Sequence, residues 1–164
     1  MSEPQPSIGF AASDDVAALA QLRFALYVEQ DGEGAESPGD YRERFERFVE
    51  RALASDDWLA WVARLDDELV GAMWLYTVRR IPVPGKSAGP IGYLTNVYVI
   101  PELRNAGLGA EMLDQLTAWC TEEGFSAVIV WPTERSRPFY GRAGFARLDE
   151  PLMIELHPDR PFER

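Results

Sequence analysis

Asn96-Val97-Tyr98-Val99-Ile100-Pro101-Glu102-Leu103-Arg104-Asn105-Ala106-Gly107-Leu108-Gly109-Ala110 is the run whose reading decides the fold. It starts inside Ile91 to Ile100, where both alternating faces are apolar or aromatic, the pattern of a strand lying centrally in a sheet. Pro101 closes that strand. Two glycines then open a segment in which Leu108, Met112, Leu116, Trp119 and Cys120 recur at helical spacing, with Gly124 placed to stop it. Ala127 to Trp131 is wholly apolar and reads as the next strand. A strand, a helix and a strand in succession put the two strands parallel in one sheet.

Upstream of the decisive run, Ser7 to Ala11 is a short strand and Ser13-Asp14-Asp15 offers a cap and an acidic first turn. A helix follows to about Tyr27, with Val16, Leu19, Leu22 and Leu26 on one stripe. Residues 29–40 carry acids, glycines and Pro38 and read as a loop, and Tyr41 to Leu53 as a second amphipathic helix with Glu43 and Arg47 paired on its wet side. Trp58 to Ala63 and Leu69 to Val78 are strands joined by a turn at Asp66-Asp67, and residues 82–90 form an exposed loop. Downstream, a short helix from about Ser136 to Tyr140 precedes one or two last strands that include Leu152 to Leu156. The sum is an α/β domain.

At 164 residues the chain has the size of one domain, and such a fold buries roughly 68–70% of its unfolded surface without needing staples. A net charge of −11 and a pI near 4.5 argue against nucleic acid as a partner and against anionic membranes. One cysteine, Cys120, and one histidine, His157, leave no internal disulfide, no clustered metal site and little room for a nucleophile triad. No apolar run approaches the ~18 residues of a membrane span, so a cytoplasmic protein is expected.

The chemistry sits where the central strand meets the glycines. Glycine allows close approach of backbone to a ligand, and the first turn of a helix carries unpaired N–H groups and about half a positive charge. That combination suits a diphosphate. Tight packing of helix on strand accounts for the same glycines. The nucleotide motifs fail: Gly109 is followed by Ala110-Glu111 rather than Lys-Ser/Thr, and Met112 stands where a dinucleotide fingerprint needs its third glycine.

At this point the sequence resembles the GNAT superfamily of acyl-CoA-dependent N-acetyltransferases. Arg104-Asn105-Ala106-Gly107-Leu108-Gly109 is similar to that family's Arg/Gln-x-x-Gly-x-Gly/Ala pyrophosphate motif and follows a Val-x-Val-x-Pro strand end. Arg137-Pro138-Phe139-Tyr140-Gly141-Arg142-Ala143-Gly144-Phe145 resembles its Tyr-x-x-x-Gly-Phe segment. The likeness covers about residues 7–156, the expected core of one domain spanning 1–164.

The resemblance implies a mixed, mostly antiparallel sheet whose central parallel pair splays around the cofactor, flanked by about four helices. It implies an acetyl-CoA-dependent N-acetyltransferase that needs no metal and transfers acetyl directly to a small-molecule or peptide amine. Homodimers are common in the family. The pantetheine arm would pair with the backbone of Val97, Tyr98 and Val99, and the diphosphate would sit on the amides of Asn105, Ala106, Gly107, Leu108, Gly109 and Ala110. Arg104 either adds charge there or braces the loop. Tyr140 becomes the group that donates a proton or hydrogen bond to the leaving thiolate, against the alternative of a core tyrosine. A backbone N–H near Val99 would hold the oxyanion.

Some members of the family keep a carboxylate base on the central strand, and residues 91–100 have none. Tyr93 and Thr95 are expected on one face with Val97 and Val99, lining the acceptor side, so the base falls to a water chain or to Glu29 or Asp31 of the 29–40 loop. Thr133 stands where many members have Asn. Residues 29–57 hold ten acids against four arginines, which reads either as a field that attracts a cationic amine or as a solvated helix face. The runner-up function is a non-catalytic acyl-CoA-binding regulatory domain.

Overall fold

A computed structural model describes residues 5–32, 36–86 and 88–147. Among these, five strands form one sheet in the order β1-β2-β3-β4-β5: β1 Ser7–Phe10, β2 Trp58–Leu65, β3 Glu68–Val78, β4 Ile91–Val99 and β5 Ala127–Val130. The first four are antiparallel neighbours, and β5 lies parallel to β4. The four helices are α1 Val16–Asp31, α2 Pro38–Leu53, α3 Leu108–Glu122 and α4 Arg137–Arg142. The mixed, mostly antiparallel sheet with a parallel pair at β4 is the expected architecture. Residues up to Val130 form one compact unit and those from Trp131 a second, and each is described by itself. The expected strand at Leu152 to Leu156, and His157, lie outside the described residues.

Local chemistry sets the boundaries. Ser37 caps α2 by accepting the N–H of Asp40 at 3.2 Å, and Pro38 occupies the first turn, where its missing N–H costs nothing. The Asp66-Asp67 turn has both residues at positive φ, 48° and 66°, the twist that a tight hairpin needs. Two boundaries differ from the sequence reading. α2 begins at Pro38, inside the expected 29–40 loop, rather than at Tyr41. α1 runs a turn past Tyr27, to Asp31, because no breaker intervenes before Gly32, whose N–H closes on Val28 O at 3.0 Å. Glu29 and Asp31 therefore belong to the last turn of a helix rather than to a loop.

The two faces of the sheet bury different helices. Leu19 and Leu22 of α1 and Phe45 and Val49 of α2 pack on Ala60, Val62, Ala72, Trp74 and Tyr98. α3 covers the opposite face through Met112, Leu113 and Leu116, each at most 1% exposed, and Trp119 stacks near Phe10 and Trp61. Burying each such side chain contributes about 1.5–3 kcal/mol.

A bulge in β4 corrects the expected facing of the strand. Trp74 pairs with Thr95 and Ala72 with Tyr98, so Asn96 and Val97 together oppose Met73 alone. Asn96 takes φ 50°, a left-handed conformation that asparagine tolerates better than most residues. Alternation restarts after the extra residue. Tyr98, not Val99, shares the α1/α2 face with Tyr93 and Thr95, and Val99 is turned to the α3 face opposite Gly71, whose Cα lies close to Met112 Sδ.

Candidate active site

The β4–β5 ladder is short. It pairs Ile91 with Ala127 through Leu94 with Val130 and stops there, so Thr95 to Val99 are laddered on β3 alone. Ile100 donates its N–H to Val70 O at 2.9 Å. In an antiparallel ladder the next residue back points the other way, so the N–H and C=O of Val99 face the open edge. This is the splayed edge the sequence led us to expect.

A turn Pro101–Leu103 and four residues carry the chain from that edge to α3. Asn105 at φ 62° and Gly107 at φ 91° turn the backbone, and Gly107 is the residue immediately before α3. The first α3 bond closes from Glu111 N–H to Gly107 O at 3.0 Å. Among the described residues, the N–H groups of Asn105 to Ala110 find no backbone acceptor. These six donors and the positive end of a 15-residue helix lie together. A Cβ built on Gly107 meets nothing within 4 Å, so conformation, not crowding, is what requires glycine there.

Arg104 braces this loop. Its Nε donates to Val99 O at 2.8 Å, and its two terminal nitrogens grip the Glu29 carboxylate at 2.8 and 2.6 Å. The guanidinium also lies 5.1 Å from the centre of the Tyr98 ring. Glu29 holds the guanidinium above its usual range, so the cation is permanent. These contacts are those of a brace, one of the two roles open to Arg104, and the same pair occupies Glu29, which makes a poor base while gripped at both oxygens. Asp31 is exposed at the end of α1. Tyr93 and Thr95 are half-buried on the α1/α2 face.

Several acids of residues 29–57 are paired, two of them, Asp57 and Glu29, with arginines from outside the segment. Arg42 pairs with Glu46 at 2.7 Å, Arg47 with Glu43 at 2.8 Å, Arg79 with Asp57 at 3.1 Å, and Arg44 with Glu36. Two residues that the sequence reading passed over sit beside this face. Arg23 falls on the apolar stripe of α1, four residues after Leu19 and three before Leu26, which was the available signal for it. Asn96 is the lone amide among apolar strand residues, which was the signal for a bulge.

In the second unit, Tyr140 lies in α4, 6% exposed between the rings of Phe139 and Phe145 at 5.0 and 5.5 Å. Burial pushes its phenol up to about 12, so it stays protonated across the physiological range. Thr133 Oγ1 is engaged by its own turn, accepting from Ser136 N–H at 3.3 Å, and Arg137 pairs with Glu134 at 2.9 Å. Cys120 is 2% exposed on α3, its thiol pushed up to about 11 by burial. Among the described residues no group of three or more His, Cys, Asp or Glu is arranged to hold a metal, and no helix is long and apolar enough to cross a membrane.

A family model described as the acetyltransferase (GNAT) family matches residues 17–145. An aminoglycoside N(6')-acetyltransferase type 1 of Stenotrophomonas maltophilia is 29% identical over 119 residues, covering 73% of this chain and 70% of that protein. A glucosamine 6-phosphate N-acetyltransferase of Trypanosoma brucei brucei is 32% identical over 66 residues, 40% of this chain and 45% of that one. In fold, the chain is similar to a predicted acetyltransferase from Clostridium acetobutylicum crystallised with acetyl-CoA, with a TM-score of 0.76 at 23% identity over 92% of this chain and 96% of that one.

Proposed function

The chain belongs to the GNAT acetyltransferase family, and on that premise we propose that it moves an acetyl group from acetyl-CoA to a primary amine by direct attack in a ternary complex. The observation that carries the proposal is a coincidence of main-chain groups. The edge of β4 is free of β5 from Thr95 onward, and six unpaired N–H donors follow at the start of α3. An extended amide chain ending in a diphosphate needs both, in that order. The donor set is neutral backbone with no metal ligand required.

Within this scheme Asn105 to Ala110 bind the diphosphate, and Val97 to Val99 pair with the pantetheine amides. Val99 N–H, which points away from β3, donates to the thioester oxygen as the amine adds and that oxygen becomes negative. Tyr140 donates to the sulfur as it leaves. A phenol at about 12 is more than three units less acidic than an ordinary thiol near 8.5, so Tyr140 stabilises the thiolate as a hydrogen-bond donor more readily than it surrenders its proton. Water takes the proton that the acceptor ammonium loses before its amine attacks and relays it to solvent, since Glu29 is held by Arg104. Cys120, buried and protonated, takes no part, which favours direct transfer over an acyl-enzyme.

The names of the relatives set two poles for the acceptor, a polycationic aminoglycoside and an amino sugar carrying a phosphate. A homodimer and a cytoplasmic setting remain part of the proposal. Acetyl-CoA should raise the melting temperature in a concentration-dependent way, because it binds only the folded chain. Thiol release in the presence of a panel of amines should follow. No thermal shift at millimolar acetyl-CoA would overturn the proposal. A shift without thiol release would make the chain an acyl-CoA-responsive regulatory domain.

A further inference from the structure

A cation on the apolar stripe of a helix packed against a sheet calls for a counter-charge. Arg23 has none among the described residues. Its Nη1 is buried and has no hydrogen-bond partner. Carboxylates on the neighbouring elements are held by other arginines: Asp15 by Arg64, Glu29 by Arg104 and Glu36 by Arg44. Tyr41, which feels the Arg23 charge, is kept neutral by burial that pushes its phenol up. Nη1 is thus a buried donor without an acceptor, on a side chain that is otherwise only half-buried and has no carboxylate partner among the described residues.

Arg23 lines a small cleft together with Leu22, Leu26, Trp74, Asn96 and Tyr98. The cleft lies between α1 and the β4 bulge, on the face that carries Thr95 and Tyr98. Its free volume is about 10 Å³, room for roughly one water-sized atom. A water would accept the Nη1 hydrogen bond and bring no counter-charge with it. An anionic oxygen would answer both, and the apolar walls would strengthen the contact by excluding solvent.

We propose that Arg23 receives an anionic oxygen, carboxylate or phosphate, of an acceptor molecule that also carries the amine to be acetylated. The proposal deepens the acetyltransferase reading and rests on it. It assigns the acceptor to amines with an acidic end, with the tip of the anion seated in the cleft. Two of the four acidic residues of α2, Glu43 and Glu46, are paired with arginines of the same helix, which lessens their opposition to an anion.

The test compares ω-amino acids, ω-aminoalkylphosphonates, plain alkylamines and diamines of graded chain length, with wild type, Arg23→Gln and Arg23→Lys. In wild type, at the best chain length, an acidic end raises kcat/KM over the plain amine by about 10- to 100-fold, chiefly through KM, the worth of one charge-assisted contact. In Arg23→Gln that ratio collapses to about one, and Arg23→Lys recovers part of it. The carboxylate and phosphonate arms tell which anion fits. An equal melting shift with acetyl-CoA in all three proteins verifies that they are folded.

Plain amines or diamines matching the acidic acceptors in wild type would overturn the proposal, and so would a preference that survives Arg23→Gln. If no amine is acetylated at all, the acetyltransferase reading falls separately. Binding then decides this one, since the acidic amines must still stabilise wild type against heat and fail to stabilise Arg23→Gln.

Discussion

On the α3 side of the sheet, the groups proposed to meet a ligand are main-chain ones: Val99 at an open strand edge and the N–H donors of residues 105–110. On the α1 side the proposed groups are side chains brought from separate parts of the chain: Arg23 from α1 and Asn96 and Tyr98 from β4 around one cleft, with Tyr93 and Thr95 on the same face and Glu29 locked to Arg104. The contrast teaches how specificity divides between two regions of one domain. A main-chain site is fixed by backbone conformation and tolerates exchange of side chains, so it suits a constant donor. A side-chain site changes with single substitutions, so it suits an acceptor that differs between relatives.

The comparison can be broken at several points. The largest effect is expected from Tyr140→Phe, which keeps the ring packed against Phe139 and Phe145 but removes the hydroxyl. It should lower kcat by about 10²- to 10³-fold with acetyl-CoA affinity unchanged by calorimetry. An unaltered kcat would return Tyr140 to the core. Next comes Gly107→Val, which forces a β-branched residue to φ 91° at the donor site. The Kd for acetyl-CoA should rise about 10- to 100-fold while acceptor KM hardly moves. A change in acceptor KM alone would invert the assignment of the two faces.

The side-chain region should also be the one that feels acid. Asp15, at the start of α1, accepts from Ala12 N–H and from both terminal nitrogens of Arg64 at 2.5–2.6 Å. Arg64 holds its carboxyl below the usual range, so this stability is present above the ordinary carboxylate value and lost as pH falls through the lowered one. Asp15→Asn should cost about 1–3 kcal/mol at neutral pH, and the gap from wild type should close below about pH 4 in thermal melts. A gap of constant size at every pH would remove the ion pair from the account.

Arg104→Gln is a smaller probe. If the donor site is made of backbone, the variant should lose roughly 2–4 °C in melting temperature but only about two- to threefold in acetyl-CoA affinity. A loss of ten times or more would make Arg104 a direct diphosphate ligand. The smallest effect is expected from salt. With Glu36, Glu43, Glu46 and Asp57 paired to arginines, acceptor kcat/KM should vary less than about twofold between low and high ionic strength.

The same division explains what could be read from the sequence. The main-chain groups proposed to hold the donor were legible because backbone geometry is written locally: Pro101 and Gly107 act within a few residues of where they stand. Helices and strands were legible for the same reason, through the stripes of α2 and α3 and the Asp66-Asp67 turn. The end of α1 is less legible, because the acids near it resemble those of a loop, although Gly32 is the first true breaker. Tyr93 and Thr95 were assigned a face shared with Val99 because alternation was carried straight through Asn96. The pairing of Glu29 with Arg104 joins residues 75 apart, and no local pattern encodes it. Arg23 stood on an apolar stripe in plain view, but its meaning depends on the lack of a partner, which only the assembled neighbours reveal.

The Asn96 bulge has a consequence for anyone who edits this chain. β4 runs in two phases, and the extra residue is the shift between them. A single deletion at Asn96 or Val97 would restore a uniform pleat and leave Tyr98 on the α1/α2 face and Val99 on the α3 face, because Thr95 and Tyr98 would then stand two residues apart. What such a deletion removes is the left-handed residue beside Arg23, so a graft that lacks it keeps the facing of the strand and alters only the cleft against α1.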